Sequence, residues 1–165
     1  MPKKRAAPHP LDDKDRRILS LVQRDGAMAQ AQMAKKVGLS TAAVNERLKK
    51  LEVSGVLRRW TAIVDPKAVG ATVTAFVEVF FEHPRFETGF IERVKRLDEV
   101  LECHHITGEF SLLLKLRTTD MESLQELLLS QLSSQEGVRQ TRTVMALSTV
   151  KEETYVDPTE RGASS

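Results

Sequence analysis

Asn45, Lys49 and Lys50, followed by Arg58 and Arg59, are the residues of this chain whose types and spacing suit a definite chemistry. An amide that both donates and accepts can pair with a base edge, and cations can pair with phosphate oxygens. Cys103-His104-His105 suggests metal ligation instead. On a strand, however, Cys103 and His105 share one face and His104 points from the other. Each face then offers at most two ligands, short of the three or four of a zinc site, so neither a metal nor any other cofactor is expected. A third candidate is the turn Thr107-Gly108-Glu109-Phe110-Ser111, where Gly108 suits a positive φ or a ligand close to the backbone. The chain shows no nucleophile–base–acid set and no glycine loop for phosphates, which argues against an enzyme.

The elements that must position these groups are legible from periodicity. Ser40 suits an N-cap, and behind it Val44, Leu48 and Leu51 recur at helical spacing up to Gly55. That helix exposes Thr41, Asn45, Lys49 and Lys50 away from its apolar stripe, a face suited to the DNA major groove. An ordinary amphipathic surface helix has the same pattern. Residues 12–25 open with carboxylates and place Ile18, Leu19, Leu21 and Val22 on one side, with Gly26 as the stop. Residues 30–37 form a shorter helix with Met33, Ala34 and Val37 inward, and Gly38 permits a sharp turn into Ser40. Three short helices, the last two joined by a glycine turn, predict a helix-turn-helix of winged-helix-like type. A purely structural three-helix module is the alternative.

Charge favours the first of these. Residues 1–60 carry 14 basic and 6 acidic side chains, a net +8, whereas residues 61–165 carry 11 basic and 17 acidic, a net −6. The overall +2 conceals this division. A basic half attracts a phosphate backbone through counterion release, and an acidic half is repelled by it. At 165 residues and 41% hydrophobic, the chain is an ordinary soluble one, with no apolar stretch long enough to span a bilayer. The start, MPKKRAAPHP, lacks the apolar core of a secretory signal, so a cytoplasmic location is expected. Residues 1–10 read as a disordered basic tail and residues 154–165 as a flexible one.

Residues 56–64 look extended and lead to Asp65-Pro66, so 56–70 reads as a connecting strand and hinge after a domain at 11–55. From Thr72 the chain alternates, with Val73, Ala75, Val77, Val79 and Phe81 on one face and Phe76 and Phe80 on the other. Helical spacing returns at 86–97, strands are expected at 99–106 and 110–118, and a leucine-rich helix starts near Thr119 with Glu122 completing a capping box. A last strand spans about 138–150. The order βαββαβ over residues 71–153 is the ferredoxin-like arrangement, giving an α+β protein overall. Both helices then cover one sheet face. The other keeps Phe76, Phe80 and Leu113, a patch that predicts dimerisation by sheet-to-sheet packing. Trp60 is expected to pack at the domain junction.

In this order and spacing, LDDKDRRIL at 11–19, VGLSTAAVNERLKKLEVSGVL at 37–57, AIVDPKAVG at 62–70 and HITGEFSLLLKL at 105–116 resemble the Lrp/AsnC (feast/famine) family of transcription regulators. The resemblance runs from about Leu11 to Glu153 and implies a homodimer that assembles further into octamers, double-stranded DNA as partner, and an amino acid as effector. By position it puts Ser40, Thr41, Ala42, Asn45, Arg47 and Lys49 on the recognition helix. Asn45 is assigned to base edges, Arg47 and Lys49 to phosphates unless turned aside onto Glu46 or Glu52, and Arg58 and Arg59 to the flanking backbone. The effector loop implied by the resemblance is Thr107, Gly108, Glu109 and Ser111, with Ser148 as a further pocket residue. A plain hairpin turn is the competing reading. Two departures stand out: Ala29 replaces the usual Ser or Thr cap, and Ser111 replaces the usual Asp, removing a carboxylate that would meet a ligand's ammonium. A ligand-independent architectural protein that wraps DNA is therefore the alternative function.

Overall fold

The computed structural model describes residues 10–159, so nearly all of the expected basic tail and positions 160–165 of the C-terminal one lie outside the described residues. Two compact units are present, one formed by residues up to 62 together with those from 151, the other by 63–150.

In the first unit, α1 (Asp13–Arg24) begins in a reciprocal capping box between Asp12 and Asp15. Two acidic groups in its first turn and Arg24 in its last complement the helix dipole. α2 (Gln30–Val37) starts at Ala29 with no side-chain cap and ends at Gly38, whose φ of 67° provides the left-handed turn. α3 (Thr41–Val53) is capped by Ser40, whose Oγ accepts from the Ala43 amide at 3.1 Å. Ile18, Leu19, Val22, Met33, Ala34, Val37, Val44, Leu48 and Leu51 form one buried cluster among the three helices. Each large aliphatic chain removed from water there contributes about 1.5–3 kcal/mol.

The extended stretch 56–64 forms no ladder with any described residue. A strand needs a partner edge for its amides, and this chain supplies none for it. Trp60 turns back instead: its ring lies 3.8 Å from where a Cβ on Gly26 would sit, and its Nε1 donates to Glu52 at 2.6 Å.

The second unit is the ferredoxin-like one. β1 (Val73–Phe81), α4 (Glu87–Val94), β2 (Val100–His105), β3 (Leu112–Thr118), α5 (Met121–Glu126) and β4 (Val138–Met145) follow in sequence. The sheet order is β2-β3-β1-β4 with every pair antiparallel. Alternate residues Ala75, Val77, Val79 and Phe81 of β1 and Leu112, Leu114 and Leu116 of β3 are buried against Phe90, Val94, Leu124, Leu127 and Leu132 from the helical layer. Three expectations shift. The cap of α5 is Asp120, not Thr119, its carboxylate accepting from the Ser123 amide at 2.8 Å. The helix continues as a π-helical turn over Leu127–Ser133, which is consistent with its leucine stripe but not signalled by it. β4 ends at Met145, opposite Ala75, instead of running to 150; Ala146 makes one further bond to Thr74 O, and β1 begins only one residue before that, at Val73.

The last described residues, within the stretch read as a flexible tail, make specific contacts with α1. Gln23 of α1 exchanges two hydrogen bonds with the backbone of Val156, at 2.9 and 2.8 Å, and Arg24 lies 4.6 Å over the Tyr155 ring.

Candidate DNA-reading helix and effector loop

At 100° per residue, Thr41, Ala42, Asn45 and Lys49 share about a third of the circumference of α3, and all four are exposed. Val44, Leu48 and Leu51 occupy the buried side. Asn45 and Lys49 make no hydrogen bond or ion pair among the described residues, nor do Arg58 and Arg59, which lie exposed beyond the helix. Lys50 is engaged, pairing with Glu46 at 2.7 Å one turn back. This leaves an uncommitted stripe of small, amide and cationic groups.

Arg47 does not belong to that stripe. Its place on the helix is about 160° from Asn45 and from Lys49. The guanidinium instead bridges the carboxylates of Asp12 and Asp15, each at 2.7 Å. Its partners are the capping box of α1, not the Glu46 or Glu52 considered from the sequence. The Asp15 amide and then Arg47 hold the Asp12 carboxyl below the usual carboxylate range, and the two carboxylates push the guanidinium further up. Arg47 thus fixes the third helix on the first from the inner side.

The loop at 107–111 joins β2 to β3. Gly108 has a φ of 114°, which only glycine adopts readily. Thr107, Gly108 and Glu109 are exposed, whereas Ser111 is half-buried, its amide donating to Val79 O at 2.9 Å and its carbonyl accepting from Ile106 N at 3.1 Å. Ser148 is exposed but lies elsewhere. Ala146, two residues before it, bonds to Thr74 at the start of β1, while the loop meets β1 at Val79. Five residues of strand separate these points by about 17 Å. A single subunit therefore does not bring Ser148 to the loop.

The strand register brings other groups there. Arg142 of β4 pairs with Glu78 of β1 and lies 5.0 Å over the Phe110 ring. Phe80 meets Phe110 edge-on at 6.4 Å, with Arg139 5.7 Å above Phe80. The Arg142 guanidinium is pushed up, chiefly by Glu78 and additionally by the nearby charge of Glu109. Glu78 is correspondingly pulled down by its bond to Arg142. Neither residue was a candidate, since only the antiparallel pairing of Glu78 with Arg142, 64 positions apart, places them beside the loop. Cys103 and His105 line a different depression, about 380 Å³, between β2 and α4, and no group of three ligand-type residues suited to a metal occurs among the described residues.

A three-helix reader with a clean solvent stripe, followed by a four-stranded ferredoxin-like unit, defines a two-domain transcription regulator. Residues 11–52 match the AsnC-type helix-turn-helix domain, and residues 74–156 match the Lrp/AsnC ligand binding domain. The leucine-responsive regulatory proteins of Escherichia coli K12 and Klebsiella pneumoniae are each 36% identical over 144 residues, covering 86% of this chain and 88% of theirs. A Neisseria meningitidis transcriptional regulator in complex with L-Met superposes with a TM-score of 0.83 at 30% identity, over 89% of this chain and 96% of that one. The leucine response regulatory protein of Mycobacterium tuberculosis gives 0.80 at 30% identity, over 90% and 100%. The chain belongs to the Lrp/AsnC family of transcriptional regulators. It is a DNA-binding regulator with a ligand-binding domain and not an enzyme. No helix among the described residues is long and apolar enough to cross a membrane.

Proposed function

We propose that this regulator reads duplex DNA through the stripe Thr41, Ala42, Asn45 and Lys49, with Ser40 holding the start of α3 and Arg58 and Arg59 meeting phosphates beside it. The observation that carries this reading is the exposure of that stripe with its amide and ammonium groups uncommitted among the described residues. Asn45 reads a base edge, and Lys49 neutralises a phosphate. The chain works in the cytoplasm as a homodimer, built by the open sheet face and extendable to an octamer.

An α-amino acid is the effector at the 107–111 loop. A neighbour of the same fold forms a complex with L-Met, which supports that ligand class. Ser111 offers only a hydroxyl where relatives are expected to have Asp, so the ammonium is met by Glu109 and the carboxylate by Arg142, which is 59% exposed. Ligand binding shifts the protein between states that differ in DNA affinity, which requires different affinities of the ligand for those states.

Two measurements test the reading. Binding to a genomic duplex should weaken with salt, and Lys49→Ala should reduce the log–log slope by about 1. Asn45→Ala should lower the ratio of specific to non-specific affinity with the slope unchanged. Absence of salt-sensitive duplex binding would sink the DNA assignment. A thermal-shift series with the twenty amino acids should show stabilisation by at least one, abolished in Arg142→Ala. No shift with any of them would replace the effector assignment with the ligand-independent, DNA-wrapping function.

A further inference from the structure

The solvent-facing side of α1 carries a ladder of contacts that DNA reading does not require. Arg16, Ser20, Gln23 and Arg24 recur at helical spacing next to the buried stripe Asp15, Ile18, Leu19 and Val22. All four meet the chain's C-terminal segment, about 135 residues away in sequence. The Arg16 guanidinium donates to Pro158 O at 2.8 Å, and the Ser20 hydroxyl lies 3.3 Å from the Tyr155 hydroxyl. Gln23 donates its amide N–H to Val156 O and accepts from Val156 N, a two-point match that a shift by one residue would break. Arg24 stacks on the Tyr155 ring. Beyond it Asp157 accepts from the Thr159 amide and hydroxyl at 3.0 and 2.8 Å, closing a turn after the contact.

From this geometry we infer that the outer stripe of α1 is a docking surface for an extended peptide, that its occupant is residues 155–158 of the same chain, and that the docked segment is a strap. The helical unit contains both α1 and the residues from 151 onward, while residues 63–150 form the other unit. The chain therefore crosses between units twice, at 62–63 and at 150–151. With the second crossing anchored at Gln23 and Tyr155, the DNA-reading unit is tied at two points, and its swing is narrower than one linker would allow. The exposed residues 147–150, including Ser148, lie between β4 and the strap, so a change in that segment is transmitted to α1 by the chain itself.

The test uses the full-length chain. Gln23→Ala combined with Tyr155→Ala removes the two-point match and the ring without touching the buried stripe, and Tyr155→Phe keeps the stack as a control. Hydrogen exchange at the Val156 amide should accelerate by at least about tenfold in the double variant and little in the control. Unchanged exchange overturns the docking. Protection that falls on dilution of the wild type overturns the same-chain assignment in favour of a neighbour's segment.

Spin labels on native Cys103 and on a cysteine replacing exposed Lys35, diluted with unlabelled chain, report the distance between the units. Releasing the segment should broaden that distribution, and an unbroadened one overturns the strap. The consequence for DNA rests on the proposed reading: the double variant should bind a two-half-site duplex about tenfold more weakly, with the salt slope retained. A wild type that binds no duplex would refute that reading while leaving the exchange and distance results standing.

Discussion

Arg47 pairs with Asp12 and Asp15, partners that its charge alone does not indicate. A cation on a recognition helix invites a phosphate, yet its angular position already separates it from Asn45 and Lys49 by about 160°. What the sequence did not show was the receiving end, the capping box at Asp12 and Asp15, with Asp15 almost fully buried. Removing the guanidinium leaves that carboxylate without its cation, a loss of about 2 kcal/mol for a hydrogen bond to a charged group. Arg47→Ala should therefore lower the melting temperature and leave the salt slope of DNA binding intact, the reverse of Lys49→Ala. A reduced slope would return Arg47 to the phosphates. The pH dependence gives a second handle. The Asp12 carboxyl is held below its ordinary value in the folded state, so its contribution is complete above the unfolded carboxylate range and fades as pH falls through the folded value. The gap in melting temperature between wild type and Arg47→Ala should accordingly be widest near neutrality and shrink below about pH 4. A gap that stayed constant down to about pH 2 would detach Asp12 from the effect.

At the scale of elements, α2 is the weak member of the reader. Its first turn has neither a side-chain cap nor an acidic residue to offset the exposed amides, and it is only eight residues long. Ala29 already has the extended backbone of an N-cap, with φ −60° and ψ 136°, so a serine there can bond a first-turn amide without rearrangement. Ala29→Ser should raise stability by about 1 kcal/mol and slow exchange in the first turn of α2, and a neutral or destabilising result would mean that the amides are already satisfied. The missing cap was visible in the sequence, as were the buried stripes of all three helices, because local periodicity and capping are local properties. Elements that depend on distant partners were less legible. Residues 56–64 have strand composition but no edge to join among the described residues, and β4 stops opposite Ala75, near the start of β1. Contact of the 107–111 loop with Arg142 and its separation from Ser148 follow from strand register, which alternation alone does not specify. The docked segment 155–158 was hidden for a related reason. Its Asp and Pro, with Thr154 and Thr159 on either side, match the composition of a tail, and nothing in Gln23 or Arg24 announces the distant backbone and ring they meet.

For the whole molecule, the decisive surface is the uncovered side of the sheet. Antiparallel partners point the same way, so Phe76 and Val144, which face each other in the register, share this side with Leu113. Val144 is 53% exposed; the Glu78–Arg142 pair runs through the patch, opposite Leu113 and between Phe76 and Phe80, and Lys115 with Glu102 and His104 continues it across β3 and β2. Apolar groups interrupted by a paired charge make the surface on which the proposed two-fold dimer of this chain would form. If the proposed dimer forms, its two α3 helices are expected to meet major grooves one helical turn, roughly 34 Å, apart. Val144→Glu places a charge on the edge strand β4 beside Phe76, without touching the buried helical side of the sheet. It should convert the dimer to a monomer in sedimentation or light scattering while preserving the helical unit's own unfolding transition. Affinity for a duplex with two half-sites should then fall toward that for a duplex with one. An unchanged mass would move the interface to another face, and an unchanged preference for paired half-sites would show that the two readers are coupled by some other contact.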